Sequence, residues 1–145
     1  MRLILDTNIL LSALLSAQGP PARLLQAWER KKFTLVACDA LIAEVREVAA
    51  RPFFRVRLRA SAAELLAAGL RDFSYFVKTG SVWGLPSRPD APDPKDSYLL
   101  ALAEASQAEF LVTGDKKLLA LKYHKSTRIT TAAAMSEALK AKGNK

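Results

Sequence analysis

The chain has 145 residues, 50% of them hydrophobic and 25% charged, enough for one domain with a buried core. Its 22 Lys and Arg against 14 Asp and Glu leave a net charge of +8, a balance that favours a polyanionic partner such as nucleic acid. A single cysteine and a single histidine exclude an intramolecular disulfide and a cysteine-rich zinc centre; no apolar run nears the ~20 residues of a membrane span and no signal peptide is recognisable, so a cytosolic protein is expected.

The chain opens on Leu3-Ile4-Leu5, an apolar run that stops abruptly at Asp6-Thr7-Asn8 and resumes as Ile9-Leu10-Leu11. That pattern predicts a buried strand feeding a helix. A carboxylate at the carboxyl end of a parallel strand faces the crevice where ligands gather, which makes Asp6 a candidate functional acid; capping of the next helix is its structural alternative. Ala17 to Pro20 breaks the first helix, and Pro21 opens a second in which Leu25 and Trp28 fall on the apolar stripe and read as core. Phe33 to Ala37 predicts a second buried strand. Cys38 beside Val36 and Ala37 reads as a buried structural thiol, and nothing in the sequence brings it to His124.

Asp39 is positioned to cap a third helix, with Leu41, Ile42, Val45, Val48 and Ala49 at the helical period and Pro52 at its end. Glu44 lies about 40° from Val48 around that helix, at the margin of the apolar stripe. It is either a border residue with its head in water or a carboxylate turned toward the mouth of the sheet. Arg51 to Arg59 alternates basic and apolar residues and suits a bend between helices. Ser61, with Glu64 as its capping-box partner, predicts a helix to about Lys78 whose apolar face includes Leu65, Leu66, Leu70, Phe73 and Phe76. Gly80 to Pro92 reads as loop, with a short strand near Val82 and Trp83.

Asp93-Pro94-Lys95-Asp96 opens the next helix, Asp93 as its cap. Asp96 stands three, four and seven positions before Leu99, Leu100 and Ala103 and shares their inward face, where an uncompensated carboxylate is unfavourable. Phe110 to Thr113 predicts a third strand, followed by Gly114-Asp115 and a helix starting at Lys116-Lys117, so that Asp115 repeats the placement of Asp6 or simply caps. Arg128 to Thr130 predicts a last strand and Thr131 to Lys142 a last helix, with a frayed tail over 143–145.

Strands alternating with helices, without hairpin signals, predict an α/β protein with a parallel sheet in one domain over 1–142. Asp6 and Asp115 at strand ends and Glu44 and Asp96 on helices form a set of four acids that a fold tolerates together only around a divalent cation. Oxygen ligands alone select Mg²⁺ or Mn²⁺, and such ions activate water for attack on a phosphoryl group. The basic residues Arg51, Arg55, Lys116 and Lys117 are the candidate contacts to nucleic-acid phosphates around that acidic pocket.

Asp6-Thr7-Asn8, Glu44, Asp96 ahead of Ser97-Tyr98-Leu99-Leu100-Ala101-Leu102-Ala103, and Thr113-Gly114-Asp115 together resemble the PIN-domain nucleases over nearly the whole chain. Ser12-Ala13-Leu14-Leu15, Gly19-Pro20 and Asp93-Pro94-Lys95-Asp96 are similar to members that act as toxins of toxin-antitoxin pairs, the VapC type. The resemblance implies a three-layer α/β/α sandwich around a central parallel sheet. It implies Mg²⁺ or Mn²⁺ held by Asp6, Glu44, Asp96 and Asp115, with Asn8, Thr113 and Asp93 in support. It further implies cleavage of single-stranded RNA to a 3′-hydroxyl and a 5′-phosphate, a homodimer, and a cognate antitoxin. Two other readings stay open: a non-catalytic PIN-like RNA-binding module, and a phosphatase with Asp6 as nucleophile, which would lack a general acid two residues on.

Overall fold

Leu3, Ile4 and Leu5 are almost wholly buried and form the centre of β1 (Arg2–Leu5), from which the chain builds outward in a computed structural model that describes residues 1–78 and 97–143. After β1 come α1 (Thr7–Leu15), α2 (Pro20–Glu29), β2 (Thr34–Cys38), α3 (Asp39–Ala49), the single turn α4 (Pro52–Arg55), α5 (Ala62–Asp72) and β3 (Tyr75–Val77). The second half holds α6 (Ser97–Ser106), β4 (Phe110–Val112), α7 (Lys116–Leu121), β5 (Tyr123–His124), β6 (Thr127–Thr130) and α8 (Ala132–Gly143).

The strands make one sheet in the order β3-β2-β1-β4-β6-β5. All pairings are parallel except β5 with β6. Helices flank the sheet, giving the expected three-layer α/β/α sandwich. α1 packs on α2 and α3, α2 on α8, and α3 on α5, while α6 lies against β1 and β3. The continuous apolar runs of β1, β2 and β4 are explained by this covering, since strands buried on both faces have no polar side to display. Among the described residues no helix is long and apolar enough to cross a membrane.

The sheet order carries the functional consequence. From β1 the chain moves outward to β2 and β3 on one side, then returns to β4 on the other, so the winding direction reverses between β1 and β4. Open α/β sheets bind ligands outside the carboxyl ends of the strands at such a switch point. The two strand ends are tied there, the Asp6 N–H donating to the Val112 carbonyl at 2.9 Å, and the end of β4 is tied in turn to β6, the Thr113 N–H donating to the Thr130 carbonyl at 3.0 Å.

Several expectations are corrected. The helix expected from Ser61 to Lys78 stops at Asp72, and Tyr75–Val77 pairs with Val36–Cys38 as an edge strand. An aromatic and β-branched run beside an open strand edge gains ladder hydrogen bonds that a helical end lacks. In consequence Phe73 is 77% exposed instead of lying on an apolar face, and Leu65, at 72%, also points outward. Ser61 makes no side-chain cap; its φ is 73°, and Glu64 pairs with Arg46 at 3.1 Å. Asp39 is the first residue of α3 and makes no capping bond, the N-cap position falling on Cys38. A hairpin that carried no glycine or asparagine signal joins β5 to β6, with Lys125 taking the left-handed conformation at φ 54°. The strand expected near Val82 and Trp83 and the helix start at Asp93 to Asp96 lie outside the described residues.

Candidate active site

Asp6 leaves β1 in an extended conformation and does two jobs with its carboxylate. Oδ1 accepts the Thr7 N–H at 2.7 Å, the first free donor of α1, so the capping alternative holds. Oδ2 accepts the hydroxyl of Thr113 at 2.7 Å, a residue 107 positions away and completely buried. The Thr113 oxygen also accepts the Asp115 N–H at 3.1 Å. One hydroxyl thus holds the carboxylate of the first strand and the backbone of the second acid in a fixed relation. Asp115 in turn caps α7, accepting the Lys117 N–H at 2.8 Å.

Glu44 reaches the same crevice from the middle of α3. Its Oε1 accepts the hydroxyl of Thr7, and also that of Tyr98 at 2.9 Å, so both donors converge on one oxygen. Oε2 makes no hydrogen bond among the described residues. Of the two readings left open for Glu44, the inward carboxylate is the one observed; it is half-buried, not turned to water.

The electrostatics of this cluster are unbalanced. Burial pushes the Asp6 carboxyl above its ordinary range; the Thr113 hydroxyl pulls it partly back, the charge of Glu44 raises it again, the Thr7 N–H lowers it, and Asp115 raises it further. Burial and the neighbouring Glu44 hold the Tyr98 phenol far above its usual range, so it remains a hydrogen-bond donor. Among the described residues no Lys, Arg or His pairs with Asp6, Glu44 or Asp115. Asp6, raised by burial and by the charges of Glu44 and Asp115 and without a counter-charge among the described residues, is the kind of carboxylate that a divalent cation with oxygen ligands suits. The described residues do not complete such a site alone, since no three His, Cys, Asp or Glu among them stand close enough to hold a metal ion.

The remaining candidates fall in different places. Asp93 and Asp96 lie outside the described residues. Asn8 is exposed on the first turn of α1 and makes no side-chain hydrogen bond among the described residues. Lys116 and Lys117 are exposed on the first turn of α7, beside Asp115. Arg51 is paired with Glu47 at 3.3 Å and lies seven residues past Glu44, beyond the end of α3 and at the start of α4; Arg55 ends α4. Cys38 is wholly buried and its thiol is pushed up by that burial, as a structural thiol should be. His124, on the opposite flank of the sheet, pairs with Glu104 at 2.7 Å.

Two residues of the cluster carry no role in the sequence reading, Thr7 and Tyr98. Thr7 was hidden because a threonine after an aspartate at a helix start is ordinary capping chemistry. Tyr98 stood inside an apolar helix, where an aromatic is usually core. Its one signal was a hydroxyl destined for burial, which needs a partner.

A family profile described as PIN domain matches residues 2–117, a span that takes in Asp6, Glu44, Asp96 and Asp115. Comparison with curated proteins gives no match.

Proposed function

The chain belongs to the PIN domain family, whose members are generally nucleases, and from that premise we propose that it is a divalent-metal-dependent ribonuclease acting on single-stranded RNA. The observation that carries the proposal is Asp6 at the switch point of the sheet, within electrostatic reach of Glu44 and Asp115, with no Lys, Arg or His paired to these acids among the described residues. The resemblance to the toxins of toxin-antitoxin pairs supports a toxin role with a cognate antitoxin. It likewise supports a homodimer.

In this reading Asp6, Glu44 and Asp115 hold Mg²⁺ or Mn²⁺, with Asp96 as the fourth acid. When bound, such an ion lowers the pKa of water and stabilises charge on the scissile phosphate. The chain's own residues supply the arrangement. Thr113 fixes the rotation of the Asp6 carboxylate and the position of Asp115, and hydroxyl donors on Glu44 Oε1 leave Oε2 without a hydrogen bond among the described residues. Carboxylates ordered by such outer partners need little rearrangement to accept a ligand. Lys116 and Lys117, next to Asp115, are placed to meet the phosphates that flank the cleaved bond.

The test is cleavage of unstructured RNA by purified protein with Mg²⁺ or Mn²⁺, in EDTA, and by Asp6→Asn. Cleavage that requires the metal and the carboxylate is expected. Undiminished cleavage in EDTA would remove the metal-dependent mechanism, and RNA binding without cleavage under every condition would leave a binding module.

A further inference from the structure

At the amino end of the sheet, the edge opposite the carboxylates, two clefts adjoin at Lys32. The first, of about 760 Å³, is walled by Trp28, Phe33 and Phe73 and bordered by Lys31 and Lys32. The second, of about 510 Å³, runs between α2 and α8 past Arg23, Arg30, Lys32 and Lys140. The end of α2 builds their junction: Lys31 turns left-handed at φ 60°, its N–H donating to the Trp28 carbonyl and that of Lys32 to the Ala27 carbonyl, both at 2.9 Å. That reversal sets Lys32 where it lines both clefts.

The clefts are basic and aromatic at once. None of Arg23, Arg30, Lys31, Lys32 and Lys140 makes an ion pair among the described residues, whereas Arg46 is held by Glu64 and Arg51 by Glu47. Glu29 and Glu137 are the acids of the two linings. The indole of Trp28 is fixed, its Nε1 donating to the Phe73 carbonyl at 3.3 Å and its ring lying across Gly69, where an added Cβ would sit 3.4 Å from it. Phe73 stands beside it, 77% exposed. The dipole of α2 accounts for a cation at its end such as Arg30, but not for Arg23 near its start or Lys140 on α8.

Cations without ion pairs along a groove, with the exposed ring of Phe73 and the half-buried indole of Trp28 beside them, are what single-stranded nucleic acid requires, phosphates meeting the charges and bases the rings. We propose that the joined clefts are a second, non-catalytic binding site for single-stranded RNA, with phosphates on Arg23, Arg30, Lys32 and Lys140 and a base against Trp28 and Phe73. The substrate class rests on the nuclease reading above; the location does not. β1 separates this site from Asp6 by roughly 15 Å, so the site grips a part of the strand remote from the bond that is cut. Long RNA is held at both edges of the sheet and short RNA at one.

The test measures binding of a labelled oligonucleotide of roughly 20 residues, in EDTA, to Asp115→Asn protein with and without combined Arg30→Gln, Lys32→Gln and Lys140→Gln. All three cations are exposed, so folding is expected to persist, and a thermal melt checks it. Affinity should fall at least about tenfold, and the slope of log Kd against log salt should fall by about 2, near 0.7 for each phosphate that no longer meets a cation. Phe73→Ala should weaken binding about fivefold by removing one stacking face. In cleavage-competent protein the same changes should raise KM for long RNA more than for a tetranucleotide. Unchanged affinity and salt slope would overturn the site even if the protein cleaves RNA. Loss of binding in the triple variant of a protein that never cleaves would sink the nuclease reading and leave the site standing. Tight binding of polyglutamate through these cations, with no binding of RNA, would assign the clefts to an acidic protein segment and overturn the proposal.

Discussion

Tyr98 donates its hydroxyl to Glu44 across 54 positions of sequence, at 2.9 Å, and lands on the same carboxylate oxygen that Thr7 engages. Glu44 alone, on a helix it enters at the margin of the apolar stripe, could turn to water. The two hydroxyls hold it inward.

Tyr98→Phe removes that donor and keeps the ring. Cleavage should fall about ten- to a hundredfold, the usual consequence of removing an outer partner from a ligating carboxylate. The Tm rise produced by Mn²⁺ should shrink in parallel. Parent-level activity with an unchanged Mn²⁺ response would show that Thr7 suffices to hold Glu44.

Thr113→Val keeps the shape of a fully buried residue and deletes both the donor to Asp6 and the acceptor for the Asp115 N–H. Denaturant unfolding in EDTA should register a loss of about 1–3 kcal/mol, the range for buried polar groups left unpaired. Thr113→Ser, which restores the hydroxyl, should recover much of the stability and most of the cleavage. Equal losses in both variants would point to packing and not to the hydroxyl.

Asp6 gives a pH dependence whose sign follows from its raised pKa. Between its ordinary value of 3.8 and the higher folded value, the folded state binds more protons than the unfolded one, so stability falls as pH rises through that window. Below 3.8 the penalty is absent, and above the folded pKa it is complete. Asp6→Asn in EDTA should therefore melt a few degrees above the parent at neutral pH, with the gain disappearing as pH approaches 3.8, while cleavage is abolished. A variant that melts lower than the parent at neutral pH would mean that the Asp6 hydrogen bonds outweigh the burial of its charge and the repulsion by Glu44 and Asp115.

Asp96→Asn separates ligation from capping. Asn caps a helix about as well as Asp, so a structural Asp96 would tolerate the change. As a fourth acid it would not: cleavage should be lost and the melting response to Mn²⁺ reduced, with the metal-free fold as stable as before or more so. Asp93→Asn is the control and should be mild. An active Asp96→Asn protein that still responds to Mn²⁺ as the parent does would remove Asp96 from the metal set.

What the sequence determined by itself was the local part of this protein. Continuous apolar runs at Leu3–Leu5, Leu35–Ala37 and Phe110–Val112, too short for helices, point to buried strands, although adjacent apolar residues are also buried along α6, at Leu99 to Ala103. The polar breaks after the first and last of those runs mark Asp6 and Thr113-Gly114-Asp115 before any fold is known. Tertiary structure alone decided the rest. Tyr75–Val77 became a strand because the edge of β2 offered partners, and Tyr123–His124 because β6 did, neither run having a local signal strong enough to specify it. The order β3-β2-β1-β4 brought Asp6 beside Thr113, and α3 and α6 met over Glu44, through contacts between residues 37 to 107 positions apart. Propensity and periodicity act over a turn or a few residues, whereas a shared hydrogen bond between distant segments exists only once burial has folded the chain around it.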